Sequence, residues 1–129
     1  MYKVTIPMKL PGLNEYIAAC KIQRGRWNKG NDMKQKTQAD MLCFLRKLPK
    51  FENPIKIRFI WVSEHGDKRD LDNICFAKKF ILDAMQQAGR LQNDNRKYVN
   101  GGFSDDFIYG ERYEVRLEIE EIKTFKLEG

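Results

Sequence analysis

Alternating apolar and polar positions mark the strands of this chain. Tyr2, Val4 and Ile6 fall on one face of a short opening strand. The run Ile55-Lys-Ile-Arg-Phe-Ile-Trp-Val places Ile55, Ile57, Phe59 and Trp61 together, then turns apolar on both faces at Ile60 and Val62, as an interior strand does. Arg112-Tyr-Glu-Val-Arg-Leu-Glu-Ile-Glu alternates throughout, with Tyr113, Val115, Leu117 and Ile119 inward, and Arg96 to Phe103 is expected as a further strand. Two stretches have helical spacing. One runs from Lys34 to Leu48, carries Met41, Leu42, Leu45 and Leu48, and ends at Pro49. The other runs from about Asp72 to Ala88 with an apolar stripe of Ile74, Ala77, Ile81, Ala84, Met85 and Ala88, and Gly89 stops it. The order βαβαββ predicts a single α+β domain over residues 1–129, with helices packed on a four-stranded mixed sheet.

Between these elements, Leu10-Pro-Gly-Leu-Asn-Glu-Tyr16 is punctuated by Pro and Gly and is expected as a loop. Gln23 to Asn31 reads as a basic, glycine-spaced loop carrying Trp27. Two readings of Trp27 stay open: it stacks on an unpaired base, or it folds back onto the core.

Composition narrows the function classes. Of 129 residues, 42% are hydrophobic and 33% charged, which suits one folded core rather than a disordered tail. No apolar run approaches the roughly 20 residues of a membrane span, and the first residues carry no signal-peptide pattern. Cys20, Cys43 and Cys75 are odd in number and contain no CxxC, so reduced thiols in a cytoplasm are expected rather than a zinc site or a disulfide framework. The net charge of +6 points to a polyanionic partner. From Lys21 to Lys50 nine cations face only Asp32 and Asp40, an excess larger than that of the whole chain. Arg24, Arg26, Lys29, Lys34 and Lys36 in this stretch, with Arg69 further on, are the candidate contacts to such a partner.

Candidate chemistry lies in Lys68-Arg-Asp70-Leu-Asp72-Asn73, where the central strand hands over to the long helix. Asp70 and Asp72 converge if the backbone there is still extended, because side chains at i and i+2 share a face. Asp94 follows the helix and offers a third carboxylate. Three hard oxygen donors suit Mg²⁺. An aspartate ahead of an amphipathic helix is also a common cap, and spacing alone favours a cap or a surface pair. His65 reads as a turn residue and Cys75 as packing.

Arg69-Asp-Leu-Asp-Asn73, Lys79-Phe-Ile-Leu-Asp-Ala-Met85, Ala88-Gly89 and Asn93-Asp94, together with Ile6-Pro7 and Pro11-Gly-Leu-Asn-Glu-Tyr16, resemble the RusA family of Holliday-junction resolvases in order and approximate spacing. The resemblance covers most of the chain and is specific between Arg69 and Asp94. It implies a metal-dependent endodeoxyribonuclease that nicks four-way DNA junctions in pairs, working as a homodimer on branched DNA. Asp70, Asp72 and Asp94 would be its Mg²⁺ ligands, with Mn²⁺ able to substitute, and a helix lysine its catalytic or phosphate-contacting group. The family's lysine follows the second aspartate by one turn, where this chain has Phe76. Counting back from Asp83 selects Lys79 instead, as though one turn were inserted after Asn73, and seven residues from Asp72 is close to two turns on one helical face. Two rival functions remain: a non-catalytic nucleic-acid-binding module, and a metal-dependent nuclease acting on other branched or single-stranded DNA.

Overall fold

The computed structural model describes residues 1–92, 99 and 102–122. The chain runs β1 (Tyr2–Ile6), α1 (Leu13–Cys20), β2 (Gln23–Arg24), β3 (Trp27–Asn28), α2 (Lys29–Leu45), β4 (Ile55–Glu64), α3 (Leu71–Cys75), α4 (Lys78–Gln87), β5 (Gly102–Gly110) and β6 (Glu114–Glu121). Four strands form a mixed sheet in the order β1-β6-β4-β5, and β2 and β3 form a separate small hairpin. β6 is antiparallel to both β1 and β4, while β5 lies parallel to β4 from Lys56↔Gly102 to Glu64↔Gly110. The architecture is the α+β single domain with a four-stranded mixed sheet that the alternation predicts.

One face of the sheet carries the core. Val4, Ile6, Ile55, Ile57, Phe59, Trp61, Val115, Leu117 and Ile119 are buried there against Met41 and Leu45 of α2 and Phe80, Ile81, Ala84 and Met85 of α4. Lys56, Arg58, Arg116 and Glu120 leave the other face polar and exposed. Ile60 and Val62 are nonetheless buried on that face, in keeping with the interior position of β4.

Four local differences from the sequence expectation have physical causes. Residues 13–20 are helical rather than loop: Gly12 takes an extended N-cap conformation, and Pro11-Gly12 ends the preceding segment instead of excluding a helix. α2 starts at Lys29, five residues early, because the Asn28 side chain accepts from Asn31 N at 3.1 Å and caps it. The helix expected from Asp72 to Ala88 is broken. α3 stops at Cys75, Ala77 N bonds Ile74 O and Lys79 N bonds Phe76 O, and α4 starts at Lys78 after this tightened turn. The strand expected over residues 96–103 begins at Gly102 within the described residues and continues to Gly110; residues 96–98, 100 and 101 lie outside them.

The break also creates an aromatic cluster, in which Phe76 packs on Tyr16 at 5.3 Å and on Phe80 at 5.5 Å between ring centroids. Phe80 is fully buried and Phe76 only partly so. Phe80→Ala should therefore cost about 3–5 kcal/mol of unfolding free energy, and Phe76→Ala clearly less. Paired denaturant titrations check the order.

Candidate active site at the start of the helix pair

The turn that leaves β4 is fixed by one ion pair. The Asp67 carboxylate accepts from Arg69 N at 3.1 Å, from Arg69 Nε at 3.1 Å and from an Arg69 terminal nitrogen at 2.8 Å. Only 4% of the Asp67 side chain is exposed. The Arg69 hydrogen bonds outweigh desolvation and hold this carboxyl down at about 2. The Arg69 guanidinium lies over the Tyr113 ring, and the Tyr109 hydroxyl donates to Asp67 O at 3.1 Å. The sequence singles out Arg69 as a candidate DNA contact; in the structure its guanidinium also holds this turn. His65 sits in the same turn as expected, exposed and stacked on Tyr109 at 5.4 Å.

This frame delivers Asp70 to the N-cap position of α3 with φ −65° and ψ 154°, and the helix begins at Leu71. Asp70 and Asp72 are thus an N-cap and a second helical residue, not two residues of a strand, so the extended-backbone argument for their convergence does not apply. Both are exposed. Asp70 forms no side-chain cap bond, and among the described residues neither carboxylate has a hydrogen-bond or ion-pair partner. Asn73 ties this segment to the Pro11-Gly12 loop. Its Oδ1 accepts from Asn14 N at 3.1 Å, and a Cβ on Gly12 would stand 2.6 Å from that oxygen. The two stretches that carry the family resemblance therefore meet at Asn73.

One turn on, Lys78 reaches back over the sheet. Its Nζ contacts Asp105 Oδ2 at 2.7 Å and lies 5.3 Å from the Phe59 ring and 5.0 Å from the Phe103 ring. Trp61 Nε1 donates to the other Asp105 oxygen at 2.8 Å. Cys75 borders this cluster; burial pushes its thiol up, and Asp105 adds to that against the opposing pull of Lys78. Lys79 points elsewhere. Its side chain is 56% exposed and pairs with Asp83 at 3.2 Å, while Asp83 also meets Lys34 at 3.0 Å. The same-face argument for Lys79 assumed one continuous helix, whereas the interval from Asp72 to Lys79 contains a tightened turn.

Asp94 lies outside the described residues. Among the described residues no three His, Cys, Asp or Glu side chains gather closely enough to hold a metal ion. Asp105 accepts from Trp61 through one oxygen and from Lys78 through the other, and it does not gather with Asp70 and Asp72 into a metal-holding group among the described residues. The basic candidates divide cleanly. Lys34 and Lys36 are paired with Asp83 and Asp32, whereas Arg24, Arg26 and Lys29 are exposed and form no ion pair within the described residues. Sequence reasoning missed Asp67, Asp105 and Trp61. The one available signal was an aspartate at an inward position, with Asp105 directly opposite Phe59 in the β4–β5 register.

No helix among the described residues is long and apolar enough to cross a membrane. Neither protein-family models nor curated proteins give a match to this sequence.

The Asp67–Arg69 pair carries a pH signature. A carboxyl lowered from 3.8 to about 2 on folding stabilises the protein fully above pH 4, and this contribution fades as pH falls from about 4 to 2. It amounts to about 2 kcal/mol. Asp67→Asn should be less stable than the parent at pH 6, and the difference should shrink by about that amount by pH 2. Urea midpoints across this range check it.

Proposed function

We propose that this chain is a Mg²⁺-dependent endonuclease of branched DNA that resolves four-way junctions by paired nicks. The observation that carries the reading is the pair Asp70 and Asp72: two exposed carboxylates, on a turn held by Asp67 and Arg69, with no side-chain hydrogen-bond or ion-pair partner among the described residues. A capping role was the main alternative for Asp70, and the missing cap bond weighs against it. The donor set fits a hard cation, with Asp70, Asp72 and, from the RusA resemblance, Asp94 as its ligands. Bound there, Mg²⁺ would neutralise charge on a phosphodiester and activate water.

The remaining chemistry belongs to the chain's own groups. Lys78 has three donors and spends one on Asp105, so its ammonium, 19% exposed, can still face a phosphate oxygen. Phe59, Phe103 and the Asp105–Trp61 bond restrict its position, as a group that stabilises developing negative charge requires. Paired nicks on opposed strands call for two sites, hence a two-fold homodimer. Arg24, Arg26 and Lys29 would hold the DNA backbone. Those unpaired cations also favour a second reading, a nucleic-acid-binding module without cleavage.

A synthetic four-way junction and a matched linear duplex, each with Mg²⁺ or EDTA, test the reading. Junction nicking that EDTA abolishes is the expected result; binding without cutting in any divalent ion would leave only the module. Asp70→Asn, Asp72→Asn and Asp94→Asn, made singly, should each lower cleavage by orders of magnitude and spare binding. At saturating DNA and Mg²⁺, Lys78→Ala should lose most cleavage and Lys79→Ala little; the reverse pattern would return the role to Lys79.

Removing Arg24, Arg26 and Lys29 together should flatten the salt dependence of binding. If each meets one phosphate, the slope of log affinity against log salt falls by about 2.7. An unchanged slope would place the DNA path elsewhere.

A further inference from the structure

Arg24 and Arg26 lie on the β2–β3 hairpin and Lys29 follows it, none in an ion pair within the described residues, and the hairpin is built as a rigid support. Asn28 Nδ2 donates to Gln23 Oε1 at 2.8 Å and to Cys20 O at 2.9 Å, while Asn28 Oδ1 caps α2. Gln23 Nε2 closes the turn on Gly25 O at 2.8 Å, and Lys29 N bonds Ile22 O at 3.0 Å. Gly25 sits at the tip with φ +60°, a conformation that suits glycine, and nothing lies within 4 Å of where a Cβ would be. Both polar atoms of the Asn28 side chain are thereby used in tying the hairpin to the end of α1 and the start of α2. Its neighbour Trp27 is held outward, 42% exposed, which settles the two readings of this residue against the core.

Trp27 forms one wall of a concavity of about 200 Å³ whose other walls include Arg26, Asn31, Asp32 and Gln35. Asp32 is engaged with Lys36 at 3.1 Å. The side-chain amides of Asn31 and Gln35 and the guanidinium of Arg26 bond to no described residue. An indole platform beside two amides and a cation, with few apolar walls, is poorly suited to an apolar ligand. Amides offer both donors and acceptors, which match the hydrogen-bonding edge of a base. Aromatic stacking beside a basic backbone track is how sequence-tolerant single-strand binding works.

We infer that this concavity binds one unpaired nucleobase, stacked on Trp27, with its edge met by Asn31 and Gln35 and its flanking phosphates by Arg26 and Lys29. The inference rests on the nucleic-acid half of the proposed function and not on cleavage. In continuous duplex, pairing hides a base's Watson–Crick edge and stacking hides both its faces, so such a site selects unpaired nucleotides at a branch over continuous duplex.

The test uses a duplex with 2-aminopurine unpaired in a short gap and a continuous duplex of equal length, both in EDTA. Wild-type protein should bind the gapped DNA more tightly and quench the 2-aminopurine. Trp27→Ala should abolish the quench and weaken gapped binding roughly 5- to 150-fold, with continuous-duplex affinity little changed. Trp27→Tyr should retain most of both signals. Thermal melting of each variant guards against misfolding, which the exposure of Trp27 makes a small concern. The inference is overturned if Trp27→Ala binds gapped DNA like the parent, if both DNAs lose affinity equally, or if the parent does not distinguish them. Trp27-dependent gapped binding in a protein that cuts no junction would instead overturn the nuclease reading and leave the nucleobase site standing.

Discussion

Parallel strands cannot be joined by a tight turn, and the parallel pairing of β4 with β5 imposes that constraint on the rest of this fold. After Glu64 the chain must cross the sheet before it can pair again alongside β4. α3 and α4 make that crossing, and their apolar residues complete the core over Phe59 and Trp61. The crossing must begin just past the end of β4, so the turn over residues 64–69 and the start of α3 sit at that end of the sheet. Asp70 and Asp72 are exposed there because the helix begins before it reaches the sheet's face. The same pairing places Asp105 beside Phe59, within reach of Lys78 at the start of α4.

Electrostatic pairing sorts the charged residues by task. Asp67 with Arg69 and Asp105 with Lys78 are largely buried pairs, the first also bonding the Arg69 backbone, and the buried Glu114 carboxylate meets Arg112 and Arg116. Hydrogen bonds from Arg116, then Arg112, keep the Glu114 carboxyl below its ordinary range despite burial. Arg58 bridges Asp106 and Glu118 across the polar face. Among the candidate site residues, Arg24, Arg26 and Lys29 on and beside the hairpin, and Asp70 and Asp72 at the start of α3, are exposed and outside these pairs.

Strand alternation was legible because a sheet with one buried face imposes a two-residue period on every strand that crosses it. β1, β4 and β6 follow that period closely, whereas β5 was not legible. It is an edge strand, and its inward position at Asp105 is polar because Lys78 and Trp61 neutralise it, partners 27 and 44 residues away. α1 was hidden by the Pro11-Gly12 pair, which reads as a loop unless glycine is seen as an N-cap. The early start of α2 depends on an asparagine cap inside a segment that otherwise looks like a basic loop. At the candidate site, the Asp-x-Asp pair and the basic stretch could be read from the chain. The Asp67–Arg69 clamp could not, since nothing in a run of charged residues says which of them face each other.

The helix lysines sit where the helix is interrupted. On an uninterrupted helix, seven residues from Asp72 brings Lys79 round to nearly the same face. The interval in this chain contains a tightened turn instead. The tightened turn from Ile74 to Lys79 contains i→i+3 bonds, and a segment with about three residues per turn advances the facing direction faster than an α-helix does. Ala77, fully buried, permits the close packing of this turn against the core, and the partly buried Phe76 fills space beside Tyr16 and Phe80. Lys78 follows this turn directly, and two phenylalanine rings and the Asp105 carboxylate receive its ammonium, whereas Lys79 pairs with Asp83. An ammonium with restricted rotamers over a low-dielectric floor is the better placed of the two to act on a phosphate, because its position is set before any ligand arrives.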